Sequence, residues 1–257
     1  MSVDTEVKVA DMQAMTVDRP IAPDLPELSP QAELALLARV LFREGYDDHL
    51  AGHITYRQAD ETLFVNPFGL TWDEIRARDV MRMSAEGRQL DGSWTISPAV
   101  TLHVEFHKVR HDAAVAIHNH PRWGTIWADL CRRPEIYDQT GAMYHGEVAI
   151  FDDYLGSVDH PEVAQAAVKA MGDAGVLLLA NHGVLIVGAD VHQAYLRAVA
   201  FEWRCRQAWH VAAAGGGRPM RPEAAAKFGE FFNHHAFTGL FEAMARRELR
   251  ADPAILD

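Results

Sequence analysis

Cysteine is nearly absent. Cys131 and Cys205 are the two in 257 residues, far apart and in no CxxC spacing. That excludes a disulfide framework and a zinc ribbon, both of which need paired, closely spaced thiols. Two isolated thiols suit a reducing compartment, so a cytoplasmic location is expected. Basic residues are the minority charge, with Lys+Arg 24 against Asp+Glu 36 and a formal net charge of −12. A nucleic-acid partner needs a basic face to neutralise phosphate, and an anionic membrane surface needs the same. No run reaches 18 uninterrupted apolar residues, so no membrane span is expected. The opening "MSVDTEVKVADMQAMTVDRP" carries acids and has no apolar h-region, unlike a signal peptide. There is no G-x-S-x-G, G-x-G-x-x-G or G-x-x-x-x-G-K-[ST]. The "GGG" at 215–217 follows a helical pattern instead of preceding one, so it reads as a cap, not a phosphate cradle. Small-molecule chemistry remains open.

Hydrophobic residues make up 49% of the chain, enough for a substantial core. Residues 1–30, with Pro20, Pro23, Pro26 and Pro30, read as a flexible N-terminal arm ahead of one domain over 31–257. "QAELALLARVLFREG" (31–45) has apolar residues at helical spacing and a glycine stop. "HITYRQADETLFVNPFG" alternates and then turns, as a β-hairpin does. "TWDEIRARDVMRMSAEGRQLDG" reads as a short helix, a strand and a turn. "PAVTLHVEFHKVRHD" opens a helix on Pro98. "AAVAIHNH" is a strand, and "VLLLANHGVLIVG" is strand, tight turn, strand. A long helix over "DVHQAYLRAVAFEWRCRQAWHVAAAGGG" precedes a C-terminal helical segment. Strands and helices interleave without a consistent βαβ rhythm, which predicts a mixed α/β domain.

Fourteen histidines punctuate this pattern. Side chains alternate faces along a strand, so His118 and His120 of "AVAIHNHPRWG" share one face, about 7 Å apart. Two such imidazoles can converge on one ion, and a third ligand with an open position makes a catalytic metal site. His182, on the turn beside Gly183, is in a similar setting. Any one of these histidines alone is better explained as a hydrogen-bonded structural group. His103, His107 and His111 recur every four residues on one helix face, as a second metal face or, more simply, a packed one. His234 and His235 are adjacent, so they point apart on a helix.

The same residues resemble the class II aldolase/adducin family. Its "G-N/H-I-S-x-R" is similar to "GHITYR" (52–57), and its "I-x-P-x-G" to "VNPFG" (65–69). Its "H-x-x-I-Y-x-x-R-x-D-x-x-A-V-x-H-x-H" is similar to "HVEFHKVRHDAAVAIHNH" (103–120). Its "L-L-x-N-H-G-x-x-x-x-G" is similar to "LLLANHGVLIVG" (177–188). The resemblance spans about residues 31–210. It implies a single three-layer α/β domain whose central, mainly antiparallel sheet is flanked by helices. It also implies a homotetramer with interfacial active sites, and one divalent metal (Zn, Mn, Fe or Co) held by His118, His120 and His182.

The chain departs from the sugar-phosphate branch of that family. Ala99 stands where "P-S-S-E" places an acid four residues before the helix histidine, here His103. His53, Phe68 and Pro98 replace small hydrogen-bonding residues that grip phosphate. A phosphate is costly to bury without several donors, which argues for a non-phosphorylated substrate. Phe68, Gly69, Ser97 and Trp123 are the expected substrate-binding positions. The expected activity is a metal-dependent carbon–carbon lyase, a decarboxylase or aldolase on a hydroxy- or oxo-carboxylate, aromatic ones included. His53, Glu105 and Tyr144 are the candidates to deliver the proton. The alternatives are a non-haem Fe(II) oxygenase acting on an aromatic 2-oxo acid, and a non-catalytic adducin-like scaffold.

Overall fold

The computed structural model describes residues 22–154, 158–235 and 239–257. Its centre is an eight-stranded sheet of order β4-β3-β2-β1-β5-β8-β7-β6. The strands are β1 (His53–Arg57), β2 (Leu63–Val65), β3 (Met81–Met83), β4 (Gln89–Asp91), β5 (Val115–Asn119), β6 (Val148–Phe151), β7 (Val176–Leu179) and β8 (Gly183–Gly188). Every pairing is antiparallel except β6 with β7.

The helices are α1 (Pro30–Arg43), α2 (Thr101–Val109), α3 (Arg122–Asp129), α4 (Gln139–Ala142), α5 (Pro161–Met171), α6 (Val191–Ala213), α7 (Pro222–His235) and α8 (Leu240–Ala251). Several begin as the sequence dictates. Ser29 caps α1, with Pro30 in the first turn, and Asp190 caps α6 by accepting from the Gln193 amide. Pro98 opens a 3₁₀ turn that leads into α2.

The period-2 alternation of the strands sorts side chains into two layers. Ile54, Val115, Ile117, Val184 and Ile186 face one side, under α1, α3, α6 and α8. Ala116, Leu177, Leu179, Leu185 and Val187 face the other, with Leu102 and Phe106 of α2 and the apolar stripe of α5. This is the expected three-layer α/β domain with a mainly antiparallel sheet. One element pattern differs from the sequence reading: β6, α5 and β7 form a parallel β-α-β unit, which the absence of a βαβ rhythm did not suggest.

The stretch expected as a flexible arm lies partly outside the described residues. Over 22–29 it runs along the fold, with Leu25 and Leu28 packed on the core and the Pro23 carbonyl accepting from Arg246 at 2.9 Å.

Candidate metal centre

β5 lies in the middle of the sheet, between β1 and β8. His118 is near its end, directly opposite His53 on β1 and Leu185 on β8. His120 follows one residue beyond the strand. His182 sits on the three-residue turn from β7 to β8, whose last pair is Leu179–Gly183. Asn181 takes the left-handed conformation there (φ 54°), which asparagine tolerates better than most residues. The His182 amide closes the turn on the Leu179 carbonyl at 3.1 Å.

The strand end and the turn bring three imidazoles together. Ring centroids are 5.3 Å apart for His118–His120 and 4.8 Å for both pairs with His182. One ligand atom from each lies within 4.8 Å of the others, close enough for one ion to engage all three. Gly183 makes this approach feasible. A Cβ there would meet His120 Cδ2 at 2.5 Å and the Asn119 carbonyl at 2.6 Å.

The hydrogen bonds prepare the rings as ligands. His118 Nδ1 lies 2.8 Å from the Val184 carbonyl, which only accepts, so Nδ1 carries the proton and Nε2 is bare. His120 Nδ1 lies 2.7 Å from Asp48 Oδ2, and its Nε2 is buried without a partner. A hydrogen bond from His49 and another from His120 hold the Asp48 carboxyl below its ordinary range. A carboxylate behind a ligand imidazole fixes its tautomer and raises its basicity. Burial keeps His118 well below the ordinary imidazole range, with the facing His182, His53, His120 and His103 adding to it. His182 is pushed down to about 4 by burial and by His120. Neutral imidazoles are the form that binds a metal. The donor set therefore fits a divalent cation.

His53 joins this group. Its ring stacks on His118 (5.9 Å, 17°), and its Nδ1 is buried without a partner. Burial, then the facing His120 and His182, hold it down to about 4. Beyond it, His103 of α2 meets His53 and His118 edge-on at 5.8 and 6.5 Å. His103 and His107 share the Thr55 hydroxyl, at 2.8 Å each. His111 lies past the end of α2, with Nδ1 3.4 Å from Arg57 Nη1, so the expected three-histidine face has two members.

The other expected proton donors lie elsewhere. Two residues along a helix is about 200° around it, so Glu105 faces away from His103. Its carboxylate is held by Lys108 at 2.5 Å and Gln165 at 3.0 Å, between α2 and α5. Tyr144 is buried on the opposite sheet face, beside Phe201, and its hydroxyl donates to the Glu147 carbonyl at 2.5 Å. That hydroxyl approaches Gly175, at the start of β7, whereas His182 lies past the end of the same strand.

The expected substrate positions divide too. Phe68 is 49% exposed and its amide bonds the Thr95 carbonyl, which draws Phe68 and Gly69 toward Ser97, two residues further on. The Ser97 hydroxyl accepts from the Ala99 amide. Trp123 packs beside His210 at 5.3 Å, and its amide donates to Glu202. His234 and His235 end α7, and their side chains lie outside the described residues. Asp48 and Thr55 were missed. The signal for Asp48 was strand pairing: with His53 opposite His118, residues before His53 lie beside those after His118. The signal for Thr55 was alternation, which puts it on the same face of β1 as His53.

Residues 32–209 match the family model of the Class II Aldolase and Adducin N-terminal domain. The chain is 32% identical over 210 residues to a 3,4-dihydroxyphthalate decarboxylase of Terrabacter sp., covering 74% of this chain and 86% of that one. It is 27% identical over 206 residues to the 4-hydroxy-3-prenylphenylpyruvate oxygenase/4-hydroxy-3-prenylbenzoate synthase of Streptomyces roseochromogenus, covering 78% and 74%. The chain spans 64% of the length of the meiotically up-regulated gene 14 protein of Schizosaccharomyces pombe, to which it is 25% identical over 165 residues. Among solved structures, the L-fuculose 1-phosphate aldolase of Glaciozyma antarctica has the same fold, with a TM-score of 0.78, 22% identity, and 91% and 97% of the two chains covered. The chain belongs to the class II aldolase/adducin family.

Proposed function

We propose that this chain is a divalent-metal-dependent carbon–carbon lyase, with decarboxylation of a non-phosphorylated, aromatic hydroxy- or oxo-carboxylate as the leading reaction. His118, His120 and His182 are its metal ligands. The observation that carries the reading is the convergence of these three rings, two of them with Nδ1 committed to a fixed acceptor and Nε2 left bare. A scaffold has no use for three convergent, desolvated imidazoles. An ion bound there would act as a Lewis acid toward the negative charge that builds on a substrate oxygen as the bond breaks.

The chain's own residues supply the rest. Cleavage with loss of CO₂ leaves a carbon that needs one proton. Ala99 offers none, and Glu105 and Tyr144 are committed elsewhere. His53 is the remaining candidate beside the three rings, neutral and with Nδ1 free to hold the proton. The half-exposed Phe68 gives an aromatic ring a surface to pack on, and the altered phosphate grip favours a carboxylate substrate. His120 and His182 keep partial exposure, which leaves the site open on one side. We place a second copy of the chain there, in a tetramer with interfacial sites. The decarboxylase name of the Terrabacter relative supports the choice of reaction.

A second reading keeps the three histidines and changes the chemistry to Fe(II)-dependent oxygenation of an aromatic 2-oxo acid, which the oxygenase name of the Streptomyces relative favours. One assay separates the two. Protein of measured metal content is given hydroxyaromatic acids and 2-oxo acids with and without oxygen. CO₂ release under anaerobic conditions is expected. Turnover confined to Fe(II) with O₂ would overturn the lyase reading.

A further inference from the structure

Thr55 sits under α2 with no solvent exposure, and its hydroxyl is 2.8 Å from two ring nitrogens, His103 Nδ1 and His107 Nε2. A hydroxyl has one hydrogen to give, so it donates to one ring and must accept N–H from the other. Each neutral imidazole carries one N–H. The two choices therefore fix both rings together. In one state the protons sit on His103 Nδ1 and His107 Nδ1; in the other they sit on His103 Nε2 and His107 Nε2. The outer atoms of the chain, His103 Nε2 and His107 Nδ1, are both buried without partners. His103 is in ring contact with His53 and His118, and its Nε2 lies on the far side of the ring from Thr55. His107 is the outer member, 5% exposed against 0%, near Arg57, which binds its carbonyl.

We propose that His103, Thr55 and His107 form a proton relay that supplies the site, in place of the acid missing at Ala99. The inference rests on the lyase reading for the use of the proton, but not for the relay itself. The balance closes with no net charge left on the protein. His103 gives up its Nε2 proton toward the substrate carbon, directly or through His53. The Thr55 hydroxyl proton moves to His103 Nδ1, the His107 Nε2 proton moves to Thr55, and water supplies a proton to His107 Nδ1. Once product has left and water has entered the site, that water gives a proton to His103 Nε2 and the reverse shift releases one from His107 Nδ1 to the outside. Over a full cycle the substrate carbon's proton is therefore water-derived, and the chain returns to its starting tautomers. His103 is then the proton donor to the site, and Thr55 and His107 are positioning residues that act through it.

The test is imidazole ¹⁵N NMR on the metal-free, full-length protein, with turnover measured separately on the metal-loaded protein. In wild type, His103 and His107 are expected in the same tautomer, or exchanging together. Opposite, static tautomers would overturn the relay whether or not the lyase reading holds. Thr55→Val is expected to uncouple the two rings and to slow protonation of product by roughly 10²-fold or more, the usual size of an acid–base contribution. Thr55→Ser, which keeps the hydroxyl, is expected to restore both. If Thr55→Val does not fold, the wild-type tautomers and Thr55→Ser decide the matter. A Thr55→Val protein that protonates product at the wild-type rate would overturn the relay. Failure of the wild type to turn over any carboxylate would strike the lyase reading and leave the tautomer result standing.

Discussion

The two faces of the sheet are built from neighbouring residues with opposite chemistry. Under α1 and α6, β1 and β5 present Ile54, Val115 and Ile117 to an apolar layer. Under α2 the same strands present His53, Thr55 and His118, met from above by His103 and His107. Burial is comparable: Ile117 is 0% exposed and His118 2%. The apolar face gains from burial, about 25 cal/mol per Å² of apolar surface. The imidazole cluster gains little, because every nitrogen taken from water must find a partner and several have none. Along β1 and β5, stabilising apolar burial and the imidazole cluster therefore lie on opposite sides, one residue apart, while the face under α2 and α5 draws its own stability from Leu102, Phe106, Leu177 and Leu185 beside the cluster.

Changing adjacent residues should split the two properties most sharply. His118→Ala is expected to abolish bound metal and turnover while the protein stays folded, checked by metal analysis, assay and circular dichroism. Ile117→Ala is expected to cost about 2–5 kcal/mol of stability and to leave turnover per folded molecule near wild type, checked by denaturant titration beside the assay. Loss of metal by Ile117→Ala at full folding would break the division.

pH should separate the faces by sign. Burial, then the Arg57 charge, pushes His107 down to about 3. The unfolded chain takes up that proton below about 6.5, where the folded protein does not. Stability present above that value is lost as pH falls toward 3, by on the order of several kcal/mol. Glu202, on α6, is raised by burial to about 7 despite accepting from the Trp123 and Gly124 amides. Its contribution is present below the ordinary carboxylate range and is lost as pH rises through 7. Melting curves of EDTA-treated protein across pH should show the acid limb flattened in His107→Gln and the neutral limb flattened in Glu202→Gln. A parallel shift in either variant, with its slope unchanged, would count against these assignments.

Much of this arrangement was readable in the sequence, and the unreadable part has a common cause. Period and turn residues gave β1–β2, β5, the β7–β8 hairpin, α1 and α6, because each is local. The convergence of His118, His120 and His182 was readable for the same reason: His118 is on β5, His120 directly follows it, and His182 is on a glycine turn. Residues 161–171 carry a helical period too, with Ala164, Ala167, Val168 and Met171 on the buried face after Pro161, but the parallel pairing of β6 with β7 around that helix is a long-range fact that no local pattern shows. Asp48 depends on which strand lies beside which, and that too is a long-range fact. Glu105 could have been set aside from spacing alone, since two residues past His103 is the other side of a helix.

Asp48→Asn probes the polar face more gently. The amide cannot hold the His120 Nδ1–H as a carboxylate does, so metal affinity should fall on the order of 10–100-fold, with thermal stability of the metal-free protein little changed. Competition with a chelator of known affinity measures it. An unchanged affinity would mean that His120 needs no fixed tautomer to bind.

The smallest effect belongs to the apolar face. The Ser29 hydroxyl accepts from the Ala32 amide at 3.2 Å and caps α1, the helix that carries Leu34, Leu37 and Leu41 into the large core. Ser29→Ala removes that acceptor and should cost about 1 kcal/mol, a fall of roughly 2–4 °C in Tm for a chain of this size. The cap lies on the side of the sheet away from α2, and nothing in the imidazole cluster hydrogen-bonds to α1. Metal affinity and turnover at 25 °C should therefore match wild type. A helix cap that altered metal affinity by even a few-fold would mean that strain crosses the sheet through β1, whose Ile54 packs against α1 while His53 stacks on His118. The two faces would then be coupled through a single strand, and the effect of Ile117→Ala on turnover would have to be read again in that light.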